Sequence, residues 1–347
     1  MIAFIGRLPF PRPVWSSRAV RAVRAVWAVR AVWVGWIVAV LACSNTWAFD
    51  LQGHRGARGL LPENSLAAFQ KAIELGVSTL EMDIAITQDG VLVIHHDQEI
   101  NPVYTRDAAG RWMDSSPGPI HRLTWQQVQS YDIGRIRPGS NYARQFAQQE
   151  PRDGTRIPRL SDLFDLVKRL GNERIRFAIE TKVSPVSADK TLPPEPFARA
   201  VVEEIRKAGM EKRSQILSFD WRTLQVVQQV APEIPTVYLT AQQSWLDNVG
   251  AQSPTGSPWT AGFQHKDHGS VPRMIKAAGG KIWSAFAGDL SMAKIQEAHE
   301  LGLQVLVWTV NDPTAMGRFI DWGVDGLITD RPDLGLEVLK ARGRTVH

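Results

Sequence analysis

From residue 49 onward, short runs of apolar and β-branched residues alternate with stretches whose apolar positions recur every three to four residues. The first pattern is that of buried strands, the second that of amphipathic helices. Strands are predicted near 49–53, 79–85, 175–181, 214–218, 235–239, 281–285, 304–310 and 324–329. Helices are predicted near 64–75, 161–170, 196–208, 220–230, 270–279, 291–301, 313–321 and 333–341. One helix follows each strand, which predicts an α/β fold of the (β/α)8 TIM-barrel type rather than an open sheet.

One stretch departs from the alternation. Glu81 to Ile86 runs into Thr87-Gln88-Asp89-Gly90 and then Val91 to His96, and Asp-Gly between two apolar runs predicts a hairpin. With Asp89 and Gly90 as its loop, His96 stands opposite Asp83. Glu81, Asp83 and His96 then share one face, and Met82 and His95 take the other. The returning arm reads as an excursion above the barrel. Residues 97–157, rich in Pro, Gly, Gln and Arg with a helical piece near Leu123 to Ser130, read as an insertion over the active-site rim. A second long loop, Ala241 to Ser270, brings Trp245, Trp259 and Phe263 to the same end.

Charge alters the picture at the N-terminus. Residues 1–48 hold six arginines and no acidic residue, followed by an uncharged run from Ala31 to Ala42. That order reads as a signal peptide, cleaved after Ala48, with the catalytic domain at 49–347. The apolar run is about a dozen residues, short of the roughly 20 that span a bilayer, so no stable membrane insertion is expected after cleavage. Val40-Leu41-Ala42-Cys43 leaves a lipoprotein anchored through Cys43 as the alternative. Subtracting the six arginines from the 40 basic residues leaves 34 against 35 acidic ones, so the basic character belongs to the presequence and does not argue for nucleic acid. Cys43 is the only cysteine, and a domain without thiols suits the oxidising periplasm, where export would place it.

The candidate chemistry gathers at strand ends. Gln52-Gly53-His54-Arg55-Gly56 closes the first strand with a titratable base and a permanent cation between glycines, where backbone can approach an anion. Asn64 or Ser65 caps the helix that follows. Glu81 and Asp83 project to one side of their strand, and Glu180 closes another. Three converging acids repel unless a cation sits among them, and an all-oxygen set suits Mg²⁺ or Ca²⁺ rather than zinc. His54 and His96 are the histidines placed near these acids, a pair able to act as general acid and base. Trp308, at the end of the seventh strand, stands where barrel enzymes contact ligands, although an aromatic there also serves as core.

The ordered set His54-Arg55-Gly56, Pro62-Glu63-Asn64, Glu81-x-Asp83, Thr87-x-Asp89-Gly90, His96-Asp97, Glu180-x-Lys182, Ser218-Phe219-Asp220, Trp308-Thr309-x-Asn311 and Gly326-Leu327-Ile328-Thr329-Asp330 resembles that of glycerophosphodiester phosphodiesterases. The resemblance covers roughly residues 50–335. It implies a barrel with an insertion after its second strand and a divalent metal on Glu81, Asp83 and Glu180. It further implies His54 and His96 as acid and base, and Arg55 and Lys182 as phosphate contacts. The expected reaction is hydrolysis of a small glycerophosphodiester to glycerol 3-phosphate and an alcohol. Cleavage of lysophospholipid or phosphoinositide headgroups at a membrane, with Trp245 and Trp259 interfacial, is the alternative. Ser65, where threonine is commoner, and the long Gln/Arg-rich insertion depart from the pattern and leave headgroup choice open, as oligomeric state is.

Overall fold

The computed structural model describes residues 49–346; residues 1–48, with the expected signal peptide and Cys43, lie outside the described residues. The eight predicted strands form β1 (Asp50–Gly53), β2 (Thr79–Ile86), β3 (Arg176–Thr181), β4 (Ser214–Ser218), β5 (Thr236–Thr240), β6 (Ile282–Phe286), β7 (Gln304–Trp308) and β8 (Gly326–Thr329). All pair in parallel with their neighbours, and β1 joins both β8 and β2, through Asp50 with Gly326 and Gln52 with Thr79. The sheet therefore closes on itself and has no free edge.

The barrel helices are α1 (Leu66–Leu75), α2 (Leu160–Arg169), α3 (Pro194–Ala208), α4 (Trp221–Val230), α5 (Val271–Ala277), α6 (Met292–Glu300), α7 (Pro313–Asp321) and α8 (Pro332–Ala341). Their starts follow local chemistry. Ser65 accepts the Ala68 N–H at the head of α1, and Asp220 and Asp312 do the same for α4 and α7. Helices bury their apolar stripes against the outer faces of the strands, where Met82, Ile84, Phe177, Ile179 and Trp283 contribute to the main core. Inside the barrel a smaller layer of Ala178, Leu217, Val237, Leu239, Ile282 and Leu306 fills the lumen. The lower barrel is thus closed by packing, and polar chemistry is confined to the C-terminal rim. Among the described residues no helix is long and apolar enough to cross a membrane.

The hairpin forms, but one residue out of the predicted register. Ile84 pairs with Ile94, Ala85 with Val93 and Ile86 with Leu92, so His95 rather than His96 lies level with Asp83. The reason is the turn. Thr87 exchanges hydrogen bonds with Val91, leaving three loop residues, Gln88 to Gly90, and Gly90 takes a φ of +79°. That is the three-residue loop with a left-handed glycine, not the two-residue Asp-Gly loop. The strand ends at Ile94. His95 continues the Ala85–Val93 face and is buried beside Tyr104, while His96 lies past the strand and turns into the cavity.

The residues of 97–157 have a core of their own. Ile100, Tyr104, Ile120, Leu123, Val128, Ile133 and Ile157 pack on Ala85 and Val93 of the hairpin. The predicted helical piece shortens to Trp125–Val128, capped by Thr124, and a further short helix, Asn141–Gln145, was not anticipated.

Candidate active site

The turn after β1 is compact and strained. A Cβ at Gly53 would sit 2.1 Å from the Gly56 carbonyl oxygen, and one at Gly56 would meet the Ala68 backbone at 2.7 Å, so both positions require glycine. Arg55 itself lies in the left-handed region at φ +49°, a conformation costing roughly 1 kcal/mol or more. The surroundings over-determine it. Its backbone N–H donates to Glu81 Oε2 at 2.8 Å, and its guanidinium donates to Glu63 at 2.6 Å and lies 3.3 Å from Asp83 Oδ2.

Parallel register brings the acids together. Asp83 on β2 is level with Glu180 on β3, and Glu81 is two residues below on the same face. One oxygen from each lies within 4.8 Å of the others, and all three residues are buried. Burial, then the charges of Asp83 and Glu180, raises Glu81 well above the usual carboxylate range. Burial also pushes Glu180 up to about 7 against the pull of Lys182, whose Nζ lies 2.8 Å from Oε1. Burial opposes ionisation of Asp83 as well, but His96, Arg55 and Lys182 hold it low. Its Oδ1 is buried without a hydrogen-bond donor. A buried carboxylate oxygen with no hydrogen-bond donor, the Lys182 ammonium 3.6 Å away, beside two acids whose ionisation burial opposes, makes a fitting donor set for a hard divalent cation.

Both predicted histidines are oriented by carboxylates. His54 Nδ1 lies 2.6 Å from Asp330 Oδ1, and His96 Nδ1 lies 2.7 Å from Asp97 Oδ1. Such short approaches place the proton on Nδ1 and leave each Nε2 as the reactive nitrogen. His54 Nε2 points to Glu81, 3.8 Å away. Burial and then the Arg58 guanidinium pull His54 down to about 4. His96 keeps 31 % of its side-chain surface open, yet crowding, then Arg55 and Lys182, lowers it in the same direction.

These residues share one cavity of about 520 Å³. His54, Arg55, Arg58, Glu81, His96, Glu180 and Lys182 form one side; Phe219, Trp245, Trp259 and Trp308 form the other. Trp308 is both core and wall. Its Nε1 donates to the Ser284 carbonyl at 3.1 Å, while its ring meets Phe219, Phe286 and Trp245 edge-on and faces the cavity. Phe263, from the same long loop, packs on the core instead of lining the cavity.

All eight candidate residues thus meet, seven at or beside the carboxylates and Trp308 across from them. Sequence reasoning named Asn64 only as a candidate helix cap and gave the other residues that hold them no role; the cap is Ser65. Asp330 accepts two hydrogen bonds from Arg58 and one from Asn311, and Asn64 donates to Asp83 at 2.9 Å. Glu63 clamps Arg55, and Tyr142 of the insertion donates to Glu63. Glu63, Asn64, Asp97, Asn311 and Asp330 fall within the ordered motifs, a signal that could have found them. Tyr142 lies in no motif.

The match to the model of the glycerophosphoryl diester phosphodiesterase family runs over residues 54–334. A glycerophosphodiester phosphodiesterase from Caldanaerobacter subterraneus is 27 % identical over 84 % of this chain and 97 % of its own. The crystal structure of a Silicibacter pomeroyi protein provisionally named a glycerophosphoryl diester phosphodiesterase superposes with a TM-score of 0.77. It is 32 % identical and covers 86 % of this chain and 95 % of that one. An Oleispira antarctica phosphodiesterase, in complex with the product sn-glycerol-3-phosphate, shares the fold at a TM-score of 0.60 and 20 % identity, over 84 % of this chain and 96 % of its own.

Proposed function

We infer the reaction from one premise: the chain belongs to the glycerophosphoryl diester phosphodiesterase family. It is an enzyme that hydrolyses glycerophosphodiesters. We assign sn-glycerol 3-phosphate and the departing alcohol as products, by analogy with the product that the Oleispira antarctica enzyme holds.

The observation that carries the finer reading is the buried acidic triad beside two imidazoles with free Nε2 atoms. We propose that Glu81, Asp83 and Glu180 hold a divalent cation, Ca²⁺ or Mg²⁺. The all-oxygen donors, an Asp83 Oδ1 buried without a hydrogen-bond donor, and the raised Glu81 and Glu180 support this. When bound, such an ion draws charge from a phosphoryl oxygen. Arg55 and Lys182 line the same side and add fixed positive charge where the phosphoryl oxygens gain negative charge. Of His54 and His96, one accepts at Nε2 the proton of the attacking hydroxyl, and the other, as the imidazolium, donates its Nε2 proton to the alkoxide leaving phosphorus. The aromatic side, with Trp308 at its centre, receives the apolar surface of the substrate.

The test is hydrolysis of glycerophosphoethanolamine and glycerophosphocholine, followed by release of glycerol 3-phosphate. Turnover is expected to vanish in EDTA and return with Ca²⁺ or Mg²⁺. Full activity in EDTA would overturn the metal assignment, and no turnover with either ion would overturn the substrate class.

A further inference from the structure

The insertion completes the catalytic turn as well as covering the rim. Residues 141–150 lie along the turn that carries Arg55. The Tyr142 hydroxyl donates to Glu63 Oε2, and its oxygen accepts from Arg58 Nη1 at 3.2 Å. The other Glu63 oxygen accepts from Arg55 at 2.6 Å. Arg58 in turn holds Asp330, the carboxylate that orients His54. Four residues on, the Phe146 ring lies 4.6 Å from the Arg58 guanidinium carbon. Gln149 donates to the Arg58 carbonyl at 2.8 Å, and the Glu150 N–H to the Leu60 carbonyl at 2.9 Å.

We propose that Tyr142 is a positioning residue, whose hydroxyl orients the Arg55 guanidinium through Glu63 and the His54 imidazole through Arg58 and Asp330. This rests on the phosphodiesterase reading above. The physical argument concerns Glu63. It is buried, and each of its oxygens has one donor from a different element. Without the hydroxyl, Oε2 would be left as a buried carboxylate oxygen with no donor, which costs more than the bond itself contributed. The carboxylate then rotates toward Arg55 or Arg58, and the guanidinium that faces the phosphate rotates with it. Burial and the Glu63 charge hold the phenol protonated, so it is a donor throughout the working pH range.

The ring has a separate, purely structural job. It packs on Phe146 at 4.8 Å and on Tyr104 at 5.9 Å between centroids. Tyr142→Phe keeps that packing and removes only the hydroxyl, which separates the two roles.

In the full-length enzyme, Tyr142→Phe is expected to lower kcat by about 10- to 100-fold at temperatures well below its midpoint, the scale of a small misplacement of catalytic groups, with the midpoint itself lowered by only a few degrees. Calorimetric titration with inorganic phosphate, in the presence of Mg²⁺, is expected to show weaker binding to the variant. In combination with Glu63→Gln, the total loss of kcat is expected to fall short of the product of the two single losses, because the changes share the Glu63 linkage and differ only in the Arg58 arm. Unchanged kcat and phosphate affinity would overturn the proposal. So would a loss of kcat that tracks a lowered midpoint and disappears on cooling. If Glu63→Gln does not fold, the single variant and its phosphate affinity decide alone. Wild-type inactivity on every glycerophosphodiester would sink the function assignment, while the phosphate titration would still test the positioning role.

Discussion

The two sides of the catalytic cavity are built from different halves of the barrel. The ends of β8, β1, β2 and β3 supply Asp330, His54, Glu81, Asp83 and Glu180, with Arg55, Arg58 and Lys182 from the turns that follow. The ends of β4 and β7 supply Phe219 and Trp308, the loop after β5 adds Trp245 and Trp259, and Phe286 of β6 packs on Trp245 and Trp308. The seam is the Lys182 ammonium, 6.0 Å over the Phe219 ring. The charged side is a closed network in which each histidine, arginine and carboxylate has a fixed partner, so its geometry is preset. The aromatic side makes edge-to-face ring contacts, and Trp245 remains 58 % exposed. The proposed mechanism assigns bond making and breaking to the first side and adaptable binding of the substrate to the second.

The sharpest way to break this division is at the histidines. His96→Ala is expected to lower kcat by about 10²- to 10⁴-fold with KM little changed, the usual scale for general acid–base groups. His95→Ala, whose ring is buried against Tyr104 with Nδ1 at 2.9 Å from the Asp97 carbonyl, should lose stability first and much less of kcat. Steady-state kinetics and thermal melts on both variants check this, and equal kcat losses would mean that the two rings do not have separate roles.

A smaller effect is expected on the aromatic side. Trp308→Ala should reduce kcat/KM about tenfold, equivalent to about 1.4 kcal/mol of lost apolar contact, and most of it should appear in KM. A fall confined to kcat would place Trp308 with the charged side instead.

The smallest expected effect separates function from stability within the charged side. Glu180 titrates near 7 in the fold rather than at the ordinary 4.5, so ionising it opposes folding. That penalty is absent below about pH 4.5 and fully present above about pH 7. Glu180→Gln should therefore raise the melting temperature of the metal-free protein by a few degrees at pH 8, with the gain vanishing toward pH 4.5. Isothermal titration should show its metal affinity reduced. A lowered midpoint at pH 8 would mean that the Lys182 pairing outweighs the burial penalty.

The barrel and the residues that gather at its rim were legible along the chain. Buried strands and amphipathic helices advertise themselves by local period, and the observed elements β1 to β8 and α1 to α8 fall within a few residues of the predicted ones. Glu81 and Asp83 share a face because strand side chains alternate, a property that needs no partner strand. The hairpin register needed more than its Asp-Gly signal. Whether that loop holds two residues or three depends on Thr87 pairing with Val91, and each choice satisfies the same apolar pattern.

Other features depend on closure of the chain. His54 and Asp330 are 276 residues apart and meet only because β8 pairs with β1. Tyr142 reaches Glu63 across 79 residues because the insertion packs on the hairpin face formed by Ala85 and Val93. Periodicity is a property of neighbours in sequence and identifies which residues sit at the strand ends. The partner that fixes each proton and each guanidinium is set by which distant segments the closed barrel and its docked insertion bring within hydrogen-bond reach.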